Sequence, residues 1–150
     1  MKIGILESAD FSNEALKMLQ INNQVTLFSK GTISSFIKDK EVLFVRLGYH
    51  LNSDILSKAK HLKVICSPTT GLNHIDVEYC KNHSIKIISL KGETRFLKTI
   101  RATPEHTLGL VIALKRNYSS AFLSSENAVW DREPHKGFEI FNSKIGIIGL

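Results

Sequence analysis

The stretch "SPTTGLNHIDVEYCKNHSIKII", Ser67 to Ile88, decides how the chain is read. It follows the apolar run "LKVIC" and closes on "IKII", two short segments rich in Ile and Val. Between them Asp76 stands where an N-cap belongs, and Val77 to Asn82 reads as a short helix. Strand, turn, helix and strand make a βαβ unit, which requires parallel pairing. The same alternation extends outward. Strand-like runs occupy 2–7, 24–29, 42–47, 63–68 and 85–90, and helix-like segments occupy 13–19, 34–38, 53–60 and 77–82. Ser12, and either Asn52 or Ser53, stand at further helix starts. Ile- and Val-rich runs separated by amphipathic helices predict an α/β domain of flavodoxin-like layering, its parallel sheet covered on both faces.

After about residue 100 the pattern changes. "TPEHTLGLVIALKRN" places Thr103 as an expected N-cap, Pro104 at the first helical position and Glu105 in the first turn. Leu108, Val111, Ile112, Ala113 and Leu114 make most of its circumference apolar, which predicts a helix buried between domains or subunits. A more polar helix is expected over 119–129, then a loop carrying Pro134 and Gly137. The chain ends on "SKIGIIGL", which reads as a parallel strand running into a glycine turn, the opening of a second α/β domain.

The totals narrow the function classes. The 150 residues are 43% hydrophobic and 23% charged, ordinary values for a globular chain. No apolar run approaches the roughly 20 residues of a membrane span, and the N-terminus acquires an acid by Glu7, so neither a membrane partner nor a secretory leader is expected. Cys66 and Cys80 lack CxxC spacing, and Cys66 reads as a small core residue, which together suggest a reducing cytoplasm. The net charge of +6 is spread along the chain as solvated faces rather than gathered into a nucleic-acid patch, and it favours small anionic substrates.

Individual residues carry sharper readings. In open parallel sheets ligands bind beyond the carboxyl ends of the strands, where Thr70, Gly71 and Leu72 fall. A carboxylate needs donors and no obstructing side chain, and Gly71 allows close backbone approach. Arg46 ends the run "VLFVRL", so its guanidinium either forks onto a carboxylate in that crevice or is ion-paired at the strand end. His74, Asp76 and Glu78 straddle a loop-to-helix junction, so no metal site is expected from them. Glu105 and His106 are adjacent on a helix and face apart, which excludes them as an acid–base pair.

Four stretches, "SPTTGLNHIDVEYCKNHSIKII", "ATPEHTLGLVIALKRN", "NAVWDREPHKGFEI" and "SKIGIIGL", resemble in this order the NAD-dependent D-isomer-specific 2-hydroxyacid dehydrogenases. The likeness is strong from Val64 to Leu150 and mostly architectural from Met1 to Glu41. It implies a flavodoxin-like substrate-binding (catalytic) domain over 1–100. Over 101–150 it implies interdomain helices and the first strand of a truncated NAD-binding Rossmann domain. Gly71 and Leu72 would hold the substrate carboxylate through main-chain amides, with Arg46 and Thr70 also at the substrate. Thr70, Thr107 near the nicotinamide, and Gly149 as first glycine of the phosphate fingerprint would meet the cofactor. That cofactor is NAD, with NADP left open because the deciding acidic residue would lie past Leu150.

The family's Arg, Glu and His that activate the substrate would also lie past it, so the stretch holds no catalytic residue and is expected to be inactive alone. The implied partners are a small 2-hydroxy or 2-keto acid and a second copy of the chain, with Trp130 and Arg132 in an arm at the dimer interface. Asn73 departs from the family, which usually carries Asp there. The alternative is a non-catalytic flavodoxin-like module that binds an anion or a partner. Its phospho-accepting version needs an Asp at the end of the third strand, where Arg46 stands.

Overall fold

Parallel pairing organises the first part of the chain. The structure, a computed structural model describing residues 1–148, contains five strands. They are β1 (Lys2–Ile5), β2 (Gln24–Leu27), β3 (Val42–Phe44), β4 (Val64–Ser67) and β5 (Lys86–Ser89). They form one sheet in the order β2-β1-β3-β4-β5, with every neighbouring pair parallel. This is the flavodoxin-like order expected from the alternation of strands and helices. Ile3 sits opposite both Val25 and Val42, and Leu43 opposite both Gly4 and Ile65, so the central strands are apolar on both faces. The core gathers Leu43, Val45, Leu51, Leu56, Ile65 and Cys80, all buried.

The connections are α1 (Asn13–Gln20), α2 (Ile33–Phe36), α3 (Ser53–Leu56) and α4 (Val77–Asn82), with α5 (Thr94–Leu97) after β5. Three starts are capped where the sequence suggests, and of Asn52 and Ser53 it is Asn52 that caps α3. Ser12, Asn52 and Asp76 accept the N–H groups of Ala15, Ile55 and Tyr79 at 3.3, 3.0 and 2.9 Å. Thr32 does the same for Ser35 at 3.3 Å, a cap the sequence reading missed. α3 stops at Leu56 rather than continuing to Lys60. There the Ser57 hydroxyl takes the carbonyl of Asp54 at 2.8 Å, and Ala59 bonds back only three residues, to Leu56. Gly4 is required by packing. A Cβ there would lie 2.9 Å from the Phe36 ring, which packs tilted at 59° against Phe28 with 5.2 Å between centroids.

A second compact unit begins at Lys98. It comprises α6 (Ala102–Lys115), α7 (Tyr118–Glu126) and a 3-10 turn at Glu133–His135. Several expectations are corrected here. α6 begins at Ala102, so Thr103 lies within its first turn instead of capping it, and Arg101 at the cap position makes no side-chain bond. Pro104 is tolerated there because first-turn N–H groups have no helical partner in any case.

No residue of α6 is buried within this single chain, and Leu108 and Leu114 are 61% and 83% exposed, so the apolar circumference expected at a domain or subunit interface stands uncovered here. A unit of two helices has too few neighbours to cover a helix that is apolar all round. α7 ends at Glu126, short of Val129, because Ala128 turns left-handed (φ 55°) and Val129 bonds back to Ser124. The strand expected over 144–150 is not formed at 144–148, where no neighbouring strand offers hydrogen bonds. Gly149 and Leu150 lie outside the described residues. Cys66 is half-buried rather than fully so.

Leu43 is 0% exposed in the middle of the sheet, so Leu43→Ala leaves a cavity that its neighbours cannot fill. We expect a loss of about 2–5 kcal/mol, read as a fall in the urea midpoint at unchanged slope.

Candidate functional site

In the order β2-β1-β3 the direction of sheet growth reverses at β1, and the loops leaving β1 and β3 diverge to open a crevice. Glu7, two residues past β1, bridges it. Its carboxylate accepts the Arg46 N–H on one oxygen and the Gly48 N–H, at 2.8 Å, on the other. A Cβ on Gly48 would lie 2.7 Å from that second oxygen, so only glycine admits the carboxylate so closely. The Arg46 guanidinium donates from Nη1 to the Ala9 carbonyl at 3.0 Å and is exposed. Beside it, Phe44, Arg46, Cys66, Pro68, Ile88 and Leu90 help line a cleft of about 310 Å3.

The loop after β4 is pinned at both ends. Leu90 donates to the Thr69 carbonyl at 3.1 Å, Leu51 donates to His74 at 2.7 Å, and Asp76 donates back to Leu51 at 2.9 Å. Between these anchors the N–H groups of Thr70, Gly71 and Leu72 meet no acceptor among the described residues. A Cβ on Gly71 would meet nothing within 4 Å. Thr70, Gly71, Leu72 and Lys91 border an open concavity of about 660 Å3 that Asp76, whose carboxylate caps α4, and Glu78 also line. Successive unpaired N–H groups beside a lysine can receive an anion. The structure thus brings Thr70, Gly71 and Leu72 together, while Arg46 lines the neighbouring cleft.

Beneath this loop lies a polar cluster that the sequence reading missed. Ser67 and His74 are buried, and the Ser67 hydroxyl lies 3.1 Å from His74 Nε2 and 2.9 Å from the Thr69 hydroxyl. Thr69 in turn donates to the Gly71 carbonyl at 2.7 Å. The available signal was a serine closing an otherwise apolar strand, since a buried hydroxyl there needs partners. For Glu7 the signal was an acid closing the apolar run of the first strand, two residues past β1.

Burial holds the His74 imidazole below its usual pKa, with the Glu7 charge opposing and His50 adding to the effect. Burial pushes the Cys66 thiol up as well, and the Cys80 thiol up to about 11, with the Asp76 charge adding at Cys80. Neither thiol is primed as a nucleophile. In the second unit Thr107 is exposed, and its hydroxyl donates to the Thr103 carbonyl of its own helix at 2.9 Å. Gly149, expected at the cofactor, lies outside the described residues.

Residues 5–94 match the family described as D-isomer specific 2-hydroxyacid dehydrogenase, catalytic domain. The D-3-phosphoglycerate dehydrogenase of Methanocaldococcus jannaschii is 32% identical over 151 residues, covering 99% of this chain and 28% of that protein. The hydroxypyruvate reductase of Thermotoga maritima is 28% identical over 141 residues, covering 91% of this chain and 44% of that protein. The chain therefore spans less than half the length of these curated relatives. Among solved structures, D-lactate dehydrogenase from Aquifex aeolicus, complexed with NAD and lactic acid, superposes with a TM-score of 0.69 at 22% identity. The match covers 93% of this chain and 41% of that one. A Thermus thermophilus protein reaches a TM-score of 0.77 at 19% identity, covering 92% and 45%. At these identities the superpositions establish a shared fold.

The depressed pKa of His74 sets a pH dependence. Above the unfolded value of about 6.5 the imidazole is neutral in both states. Below it the unfolded chain binds a proton that the buried site resists, so stability is lost as pH falls. Urea unfolding at pH 7 and pH 5 should show a smaller loss for His74→Gln than for the parent chain.

Proposed function

Because the chain belongs to the D-isomer specific 2-hydroxyacid dehydrogenase family, we propose that it is the substrate-binding portion of an oxidoreductase acting on small D-2-hydroxy or 2-keto acids. One observation carries this reading: the unpaired N–H groups at Thr70, Gly71 and Leu72 on the carboxyl side of the parallel sheet. A substrate carboxylate there would receive charge-assisted bonds from Gly71 and Leu72, with Lys91 on the rim. Arg46 spends one guanidinium N–H on Ala9 and keeps the others for a second substrate oxygen. The surplus of cations over the whole chain favours such anions.

The cofactor of this reading is NAD, which exchanges a hydride with the substrate C2. Thr70, exposed on the rim of the loop, offers it a hydroxyl. Thr107 would meet it as an acceptor, because its own proton is given to Thr103. Gly149 completes the proposed set of cofactor residues. The domain assignment, 1–100 for substrate and 101–150 for the linking helices and the start of the nucleotide-binding half, belongs to the same proposal. So does hydride transfer as a property of the longer protein, with the 150 residues inactive by themselves. A homodimer is supported by the exposed apolar surface of α6 and by Trp130, which is 92% exposed. Among the described residues no helix is long and apolar enough to cross a membrane, and the relatives are metabolic enzymes, which supports a cytoplasmic location.

The test is a titration of the 15N-labelled chain with D-lactate, pyruvate and D-glycerate. The Gly71 and Leu72 amide signals should shift most, and chloride at equal ionic strength should leave them in place. Shifts confined to other parts of the chain would overturn the site. In the longer protein, NADH should be consumed with at least one 2-keto acid. Carboxylate binding without any such turnover would instead favour the non-catalytic anion-binding module.

A further inference from the structure

The polar cluster under the Thr69–Leu72 loop has a single allowed proton order. Thr69 has one hydroxyl proton, and the carbonyl of Gly71, 2.7 Å away, can only accept, so that proton is spent on it. The 2.9 Å bond between Ser67 and Thr69 must then use the Ser67 proton. With that proton committed, the 3.1 Å bond between Ser67 and His74 must be donated by His74 Nε2–H. The chain runs in one direction: His74 Nε2–H to Ser67, Ser67 to Thr69, and Thr69 to the Gly71 carbonyl. Its first two members are buried, where a lost partner costs more than it does in water.

The far end of this chain matters because peptides are planar. No cis peptide occurs among the described residues, so the Gly71 carbonyl and the Leu72 N–H lie in one plane and point in opposite directions. Holding the carbonyl toward Thr69 turns the Leu72 N–H away from the buried cluster. Gly71 gives its own peptides wide freedom, and although Leu72 is anchored by its side chain against the core and by the Ile75 N–H on its carbonyl, the hydrogen bond from Thr69 is the one made to the Gly71–Leu72 peptide itself.

We infer that Ser67, Thr69 and His74 are positioning residues that set the direction of the Leu72 N–H before any ligand arrives. The inference rests, for its use in catalysis, on the reading of Gly71 and Leu72 as carboxylate donors. A preset donor binds its anion without first ordering the loop, and that advantage is lost when the chain is cut.

The experiment uses the 15N-labelled 150-residue chain and two isosteric or conservative variants, Thr69→Val and Thr69→Ser. The residual dipolar coupling of the Leu72 N–H reads its direction without ligand, and the same coupling in α4 and the strands reports the intact fold. Thr69→Val should change the Leu72 coupling, leave the fold couplings in place, and weaken D-lactate binding about fivefold. Thr69→Ser should restore both. Long-range 1H–15N correlation should find the neutral His74 ring protonated at Nε2. An unchanged Leu72 coupling in Thr69→Val, a failure of Thr69→Ser to restore it, or a ring protonated at Nδ1 alone would each overturn the inference. If the coupling follows Thr69 while D-lactate leaves the Gly71 and Leu72 amides of the parent chain unmoved, the positioning stands and the carboxylate assignment fails.

Discussion

The carboxylate of Glu7 accepts two backbone N–H groups from the loop after β3, and the arrangement of the carboxyl edge depends on that contact. β1 pairs on one side with β2 and on the other with β3, so the loops leaving β1 and β3 would otherwise be free to part. A half-buried carboxylate with both oxygens bonded to main chain closes the gap, and the Arg46-to-Ala9 bond closes it again from the opposite loop. From there the order passes across the edge. Leu51, seven residues past β3, exchanges two bonds with the His74–Asp76 segment, so the loop after β4 is referenced to the loop after β3. Phe11 set edge-on against Phe44 at 5.5 Å adds an apolar contact at the same corner.

Much of this was legible in the sequence, for a physical reason. Parallel strands buried on both faces must be continuous Ile/Val runs, and helices between them must begin on side chains that accept N–H groups. Both signals are local, which is why all five strands and the caps at Ser12, Asn52 and Asp76 can be found by reading. What could not be read is set by contacts distant in sequence. Glu7 meets residues about forty positions away, and Ser67 meets His74 only because the loop folds back. The second unit was least legible. Its apolar helix and its Ile-rich tail are patterns that call for neighbours, and among residues 98–148 those neighbours are two helices and a turn.

The candidate site joins an open surface to a closed one. Above, Thr70, Gly71 and Leu72 present backbone groups to solvent. Below, Ser67 and His74 are packed out of water, with the Ser67 hydroxyl bonded to His74 Nε2. Loops that carry function are commonly the least rigid parts of a fold, and here the loop is tied to the core both through the Ser67 and Thr69 hydroxyl groups and through the Leu72 side chain packed against the apolar cluster. Asn73, exposed on the same loop, adds no charge to it, whereas Asp76 and Glu78 border the same concavity and Lys91 opposes them there.

The one-way proton order under the loop has a further consequence. A neutral imidazole protonated at Nε2 and a fully charged imidazolium both present the same N–H to Ser67, so the two ionisation states drive the relay in the same sense. Acid therefore strains the stability of the fold without altering the shape of its ligand loop: the architecture separates how firmly the protein is folded from how its recognition surface is drawn.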